Sequence, residues 1–152
     1  MPAPALDPTR TGVDPRGPRF GALITTVILA VALATRWWPL LAAQAAVFAL
    51  GAAGRSPYAP VWKLLRPRIG LAPPTELEDP RPLRFAQVVG LAFAVVGLLG
   101  LGTPVFAVAV GGALAAAFLN GAFGLCLGCE LYLTYLKTST KITQRLTTRS
   151  TA

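Results

Sequence analysis

Long apolar runs alternate with short segments rich in Pro, Gly and Arg along this chain. The runs are long enough and poor enough in charge to predict four transmembrane helices. We expect these helices at about residues 20–38, 39–54, 85–102 and 104–123. Arg36-Trp37-Trp38-Pro39 joins the first two runs and Thr103-Pro104 joins the last two. Each pair is therefore predicted to form a tight helical hairpin.

The segments around these runs define the predicted domain organisation. Residues 1–13 are predicted to be a disordered cytoplasmic tail, and residues 14–136 a four-helix membrane domain. Within that domain we expect a cytoplasmic loop over 55–84 and an interfacial segment over 124–136. Residues 61–66 of the loop are amphipathic, which favours a helix lying flat on anionic lipid. Residues 137–152 are predicted to be a basic cytoplasmic tail.

Composition supports a membrane protein and excludes several kinds of chemistry. The chain has 152 residues, of which 54% are hydrophobic and 13% charged, too apolar for an ordinary soluble domain. It contains no His, which excludes His-based triads and His-containing metal sites. The net charge of +8 is not accompanied by a basic groove with interleaved aromatic residues, so we expect no nucleic-acid partner.

The distribution of basic residues predicts the orientation. Thirteen of the fourteen Lys and Arg lie before the first run, in the long loop or after the last run, and Arg36 is the exception. By the positive-inside rule both termini and the long loop are cytoplasmic. We therefore expect a multi-pass protein of the inner (plasma) membrane, with the lipid bilayer as its main surrounding.

An internal repeat relates the two hairpins. Asp-Pro-Arg-x-x-Arg-Phe begins at Asp14 and again at Asp79, 65 residues later, and the same offset relates Pro39 to Pro104. Both copies would begin on the cytoplasmic side, which is the arrangement of a parallel repeat. The predicted fold is thus an all-α integral membrane protein of two tandem helical hairpins.

The repeated motif has two interpretations. The aspartates can cap helix N-termini and the arginines can reach lipid headgroups, a purely structural role. Alternatively, the two copies meet and four arginines form a cationic cytoplasmic mouth for an anion. Those candidates for an anion or headgroup site are Arg16, Arg19, Arg81 and Arg84.

Chemistry is concentrated in the only two cysteines, Cys126 and Cys129, which Glu130 follows directly. The Cys-x-x-Cys spacing puts both sulfurs on one helix face. A helix start after Gly124 would favour a thiolate at Cys126, whereas the charge of Glu130 opposes it. A redox dithiol, a sulfur relay and half of a soft-metal site are all open, as is simple packing. A metal site would need ligands from a second copy or a partner, and no cofactor is indicated. Because the cytoplasm is reducing, a permanent structural disulfide is not expected.

Several segments resemble the domain of unknown function 4395 family of bacterial integral membrane proteins. They are Asp14 to Phe20, the Arg55-Ser56-Pro57-Tyr58 segment, Glu78-Asp79 with Arg84 to Gln87, and Phe123 to Tyr132. The similarity covers residues 13 to about 136. The family has no established activity. Its members are often encoded near thioredoxin-like and sulfurtransferase proteins, so the resemblance implies a soluble partner of that kind.

Three functions remain open at this point. The leading hypothesis is a membrane-embedded thiol module acting in cytoplasmic redox or sulfur-transfer chemistry. The alternatives are a small anion carrier or channel along the repeat interface, and a structural membrane partner without chemistry. Ala107, Gly111 and Ala115 form a stripe of small residues that is predicted to pack the two halves together or to form a homodimer.

Overall fold

The computed structural model describes residues 12–74 and 77–150, with side chains described as far as residue 139. Within these ranges the chain is helical apart from turns and one antiparallel β-bridge. The helices are α1 (Arg16–Thr35), α2 (Trp38–Ala52), α3 (Tyr58–Arg68), α4 (Pro80–Leu99), α5 (Pro104–Phe123) and α6 (Leu127–Ser150). The predicted tail over residues 1–13 lies almost entirely outside the described residues.

Three of these helices are long and apolar enough to cross a membrane, namely α1, α4 and α5. Each has 20 residues, which at ~1.5 Å per residue gives about 30 Å, the thickness of a bilayer core. Helix α2 is apolar but has only 15 residues, or about 22 Å. Large apolar side chains stay exposed on the long helices, such as Val27 (64%), Leu99 (83%) and Val108 (74%). Such exposure fits a lipid environment, because lipid tails solvate these side chains.

Local sequence explains where the helices begin and end. Asp14 and Asp79 each use Oδ1 to accept the backbone N–H two residues later, at 3.0 and 2.9 Å. The predicted capping role is confirmed at Asp79, which is the N-cap of α4. At α1 the N-cap position is Pro15, and Asp14 accepts the Arg16 N–H from one residue further out. Helix α1 begins four residues before the predicted span and ends at Thr35, where Arg36 turns the chain with a φ of 52°.

The two copies of the repeat pack crosswise. The most extensive helix contacts are between α1 and α5 and between α2 and α4. The 65-residue offset makes α1 equivalent to α4 and α2 equivalent to α5. The contact between α1 and α5 is therefore equivalent to the contact between α4 and α2. Helix α3 packs on α1, and correspondingly α6 packs on α4. The hairpins are therefore related by a pseudo-twofold axis, and the first helix of each hairpin packs against the second helix of the other.

The buried residues obey the same offset. Four pairs of positions 65 residues apart are buried in both copies, with every side chain 9% exposed or less. They are Leu29 and Ala94, Leu41 and Phe106, Ala45 and Val110, and Phe48 and Ala113. In each pair a larger side chain in one copy corresponds to a smaller one in the other. This alternation lets side chains interdigitate across the axis at close-packed density.

The predicted packing role of the small-residue stripe is wrong within the chain. Ala107 and Ala115 are exposed, and a Cβ added at Gly111 would meet nothing within 4 Å. The buried face of α5 instead carries Phe106, Val110 and their neighbours. Four-residue spacing identifies a helix face, but the interlocking of large and small side chains decides which face is buried.

Candidate functional site

The two copies of the repeat meet immediately before α1 and α4. Val13 and Glu78 form an antiparallel bridge through both of their backbone N–H groups, with N–O distances of 3.0 and 2.9 Å. These residues are 65 positions apart, so the bridge joins equivalent points of the two copies and lies on the pseudo-twofold axis. The bridge fixes the N-terminal ends of α1 and α4 side by side.

A cleft of about 350 Å³ lies beside this bridge. It is bounded by the starts of α1 and α4, the end of α5 and the start of α6. Its lining includes Arg19, Glu78, Asp79, Asn120, Cys126, Cys129, Glu130 and Leu133. The structure thus brings all three predicted thiol-site residues to one cleft beside the bridge. Sequence reasoning missed Glu78 and Asn120 as lining residues, although the repeat offset pointed to Glu78 as the equivalent of Val13.

The cysteine pair lies where the chain turns from α5 into α6. Gly124, with a φ of 71°, ends α5, and its N–H donates to the Asn120 carbonyl at 2.9 Å. Cys126 then precedes the first residue of α6, and its Sγ accepts the Cys129 N–H at 3.4 Å. Cys126 therefore occupies the N-cap position of the helix that carries Cys129. A new helix does begin after Gly124, as the sequence predicted.

Cys126 and Cys129 form a disulfide in this structure, with their Cα atoms 5.2 Å apart. Both side chains are half-buried and line the cleft, so the bond faces a space that a small molecule or a partner's side chain can enter. The sequence-based expectation that the disulfide is not permanent depends on a reducing cytoplasm around it, and it stays a prediction. Among the described residues no three Cys, Asp or Glu are grouped to hold a metal ion, so the pair offers at most the expected half-site.

Two of the four candidate arginines cover helix ends. A Cβ added at Gly54, just after α2, would lie 2.7 Å from Nη2 of Arg84. A Cβ added at Gly124, just after α5, would collide with the Arg19 guanidinium. A cation at a helix C-terminus is stabilised by the exposed carbonyls and the helix dipole. Each copy thus uses its second arginine to cover the end of the other copy's second helix.

The other two candidate arginines point elsewhere. Nη1 of Arg16 donates to the Ala72 carbonyl at 3.4 Å, and the Arg81 side chain is exposed. Among the described residues, Arg19 is the one basic residue in the lining of the cleft. The structure therefore does not gather all four arginines around a single space, and their role as an anion site stays a prediction.

A polar network distinguishes the first copy. Gln44, only 1% exposed, donates through Nε2 to the Thr25 hydroxyl at 3.2 Å and accepts from the Tyr58 hydroxyl at 3.3 Å. It ties together α1, α2 and α3. The equivalent positions of the second copy are apolar: Gly90, Ala109 and Phe123. The two copies have therefore diverged, with a buried hydrogen-bond network in one and the cysteine pair in the other.

Asp14 anchors α3 in the first copy. Its Oδ2 accepts the Trp62 indole N–H at 3.1 Å and lies 3.6 Å from Nη1 of Arg66. Burial raises the pKa of Asp14. The hydrogen bonds from Trp62, from the Arg16 backbone and from Arg66, together with the charge of Arg16, lower this pKa by more than burial raises it. The net result is a pKa below the ordinary value, so folding stabilises the carboxylate.

The lowered pKa predicts a pH dependence of stability. The contribution of Asp14 is complete above its ordinary pKa of 3.8 and is lost as the pH falls through the lower folded value. We expect Asp14→Asn to reduce the free energy of unfolding at pH 7 by about 1 kcal/mol. The variant should also lose less stability than wild type as the pH falls from about 4 toward 2. Thermal unfolding in detergent at several pH values measures both effects.

Trp62→Phe is a matched control for this prediction. It keeps a ring beside Phe20, whose ring centroid lies 5.4 Å from that of Trp62, but removes the indole N–H. Its acid sensitivity should fall between those of wild type and Asp14→Asn. If Asp14→Asn loses as much stability on acidification as wild type, the carboxylate does not anchor α3.

The fold and the cleft define a small all-helical protein with apolar helices suited to a membrane, built from two divergent copies of one helical unit. A disulfide lines the cleft where the copies meet. The chain belongs to the domain of unknown function family DUF4395, whose family model matches residues 13–137. Comparison with curated proteins and with solved structures finds no match. The family resemblance inferred from the repeated motif and the cysteine segment is thereby confirmed.

Proposed function

We propose that this protein is a four-span membrane thiol module. Both termini and the long loop lie in the cytoplasm. Cys126 and Cys129 exchange electrons or sulfane sulfur there with a soluble thiol partner of the thioredoxin-like or sulfurtransferase kind. The observation that carries the proposal is the position of the disulfide, which lines an open cleft beside the Val13–Glu78 bridge instead of being enclosed in the core.

The four-span arrangement is supported by the pairing of the helices. At about 22 Å, α2 is shorter than the hydrocarbon core, and a short span is accommodated by local thinning and by flanking interfacial residues. Trp37 and Trp38, each 58% exposed, suit the interface at its start. A crossing α2 also brings its end, covered by Arg84, to the membrane face where α1 and α4 begin. That face is the one with nearly all of the Lys and Arg.

The chemistry follows from disulfide exchange. In the reduced protein, the thiolate of Cys126 attacks a disulfide of the partner, and one partner sulfur leaves as a thiolate. Cys129 then attacks the mixed disulfide, releasing the second partner sulfur and closing the Cys126–Cys129 bond. Two electrons pass from the protein to the partner, and the leaving thiolates take up the protons. The reverse sequence reduces the protein, and no cofactor is required.

The anion carrier is less well supported. Arg19 and Arg84 already cover helix C-termini, and three acidic residues, Glu78, Asp79 and Glu130, line the cleft together with Arg19. An anion entering between the copies would therefore meet more negative than positive charge at close range. A structural protein without chemistry would not need a cleft beside its disulfide.

Labelling from either side of the membrane tests the arrangement. After mild reduction, a membrane-impermeant maleimide should label Cys126 and Cys129 in inside-out vesicles but not in right-side-out vesicles. Trp37→Cys, made in a Cys126→Ser, Cys129→Ser background, should show the opposite pattern, because the turn between α1 and α2 would face outward. Labelling of Trp37→Cys from the cytoplasmic side would contradict the orientation and the compartment assigned to the thiols.

A further inference from the structure

The lining of the cleft determines which thiols can reach the disulfide. Three of the six acidic residues of the chain, Glu78, Asp79 and Glu130, line it together with Cys126 and Cys129. Arg19 is the one basic residue in the lining among the described residues, although the whole chain has a net charge of +8. The immediate surroundings of the disulfide therefore have the opposite sign to the protein as a whole.

Charges at short range decide the local selectivity. At physiological ionic strength the Debye length is ~8 Å, so exposed basic residues beyond the rim are largely screened, whereas the lining residues are not. The Arg19 guanidinium is already held against Gly124 at the end of α5. Part of the Asp79 charge acts on the N-terminus of α4, since its Oδ1 accepts the Arg81 N–H. Glu78 takes part in the bridge through its backbone only, and Glu130 is exposed in the first turn of α6.

We propose that this cleft selects cationic and neutral thiols and disulfides and disfavours anionic ones. The inference rests on the proposed thiol exchange and names its substrate class. A partner would present a cysteine flanked by basic or uncharged groups, and an anionic low-molecular-weight thiol would react slowly. The carboxylates do not touch the reacting sulfurs, so Glu78 and Glu130 are specificity-determining residues and not catalytic ones.

The reaction to be followed is reduction of the Cys126–Cys129 disulfide by a small thiol. A thiolate attacks one sulfur of the bond, forms a mixed disulfide and expels the other sulfur as a thiolate. A second thiolate attacks the sulfur contributed by the reductant, which leaves as a symmetrical disulfide and frees the second protein sulfur. Two electrons pass from two thiols to one protein disulfide, and the protein thiolates take up two protons.

Three reductants that differ in charge test the proposal: cysteamine (cationic), 2-mercaptoethanol (neutral) and 2-mercaptoethanesulfonate (anionic). Reduction of the oxidised full-length protein in a neutral detergent is followed by alkylation and mass shift. The same thiols acting on bis(2-hydroxyethyl) disulfide, which is uncharged, correct for their intrinsic reactivity. We expect the cation-to-anion rate ratio to be about tenfold higher for the protein than for this reference.

Variants identify the groups responsible. Glu78→Gln and Glu130→Gln should each lower the cation-to-anion ratio about threefold, because each removes one lining charge. Added salt should also lower the wild-type ratio. Lys63→Gln, on the exposed face of α3, changes the total charge by one unit in the opposite direction and should leave the ratio unchanged, because Lys63 is not in the lining of the cleft.

The outcomes separate the two proposals. A protein ratio equal to the reference overturns the charge selectivity but leaves thiol exchange standing. Faster reduction by the anion also overturns it and favours the cationic mouth built from the repeated arginines. If no thiol reduces the folded protein while all three reduce the unfolded chain, the disulfide is inaccessible and the proposed function itself fails.

Discussion

Gly128→Val should separate the cysteine helix from the rest of the protein. A Cβ added at Gly128 would lie 2.6 Å from both Cα and Cβ of Ala86 on α4. Neither atom belongs to a flexible side chain, so α6 itself must move to admit even a methyl group. We expect the free energy of unfolding to fall by about 1–3 kcal/mol and the contact between the Phe85 and Tyr132 rings, 5.6 Å apart, to be lost.

The same variant should change the chemistry of the pair. Gly128 lies between Cys126 and Cys129, so moving α6 away from α4 takes both sulfurs out of the cleft. The disulfide should then be reduced at nearly the same rate by cationic and anionic thiols, after correction for their intrinsic reactivity. Thermal unfolding in detergent and the reduction rates measure the two effects.

Gly111→Val is the matched control. It places the same β-branched residue inside a helix, but a Cβ at Gly111 meets nothing within 4 Å. We expect the midpoint of unfolding and the reduction rates to stay close to those of wild type. Equal effects of both valines would mean that helix propensity, and not the close approach of α6 to α4, controls the result.

Part of the fold was accessible from the sequence because the repeat is a strong signal. The 65-residue offset predicted two helical units, equivalent prolines at the hairpins and aspartate caps at Asp14 and Asp79, of which Asp79 is the N-cap of its helix. The offset could not reveal that α1 packs on α5 and α2 on α4. Hairpin packing of sequential neighbours and crosswise packing preserve the same periodicity, and only long-range side-chain fit distinguishes them.

The candidate site was accessible in part for a similar reason. Cysteine chemistry and a helix start after Gly124 indicated Cys126, Cys129 and Glu130, which do line one cleft. No local sequence feature predicted which residues the repeated arginines contact. Arg19 and Arg84 lie against Gly124 and Gly54, each in the other copy, and such contacts depend on the crosswise packing. Glu78 was missed because it reaches the cleft through its long-range backbone bridge with Val13, which no local motif predicts.

The second large effect concerns the order of attack. Cys126 is the N-cap of α6, and its Sγ accepts the Cys129 N–H at 3.4 Å at the positive end of the helix dipole. Such a position stabilises a thiolate at Cys126 relative to one at Cys129, while both sulfurs share the acidic lining of the cleft. Cys129 lies inside the helix and lacks this environment. We therefore expect Cys126 to attack the partner and Cys129 to resolve the mixed disulfide.

Single substitutions should separate these roles almost completely. In Cys129→Ser, the mixed disulfide between Cys126 and its partner cannot be resolved internally and should accumulate. In Cys126→Ser, the remaining Cys129 is a poor nucleophile and should form little adduct. Serine changes each sulfur to an oxygen of similar shape, so both variants should fold as wild type does, and thermal unfolding checks this.

The most direct test quantifies these adducts in native membranes. Thiols are trapped with acid and an alkylating agent, and mass spectrometry then measures the fraction of each remaining cysteine held as a mixed disulfide or persulfide. An exchangeable thiol pair predicts a large fraction on Cys126 in Cys129→Ser and about tenfold less on Cys129 in Cys126→Ser. No adduct in either variant, with a wild-type disulfide that resists reduction in the folded protein, would contradict it.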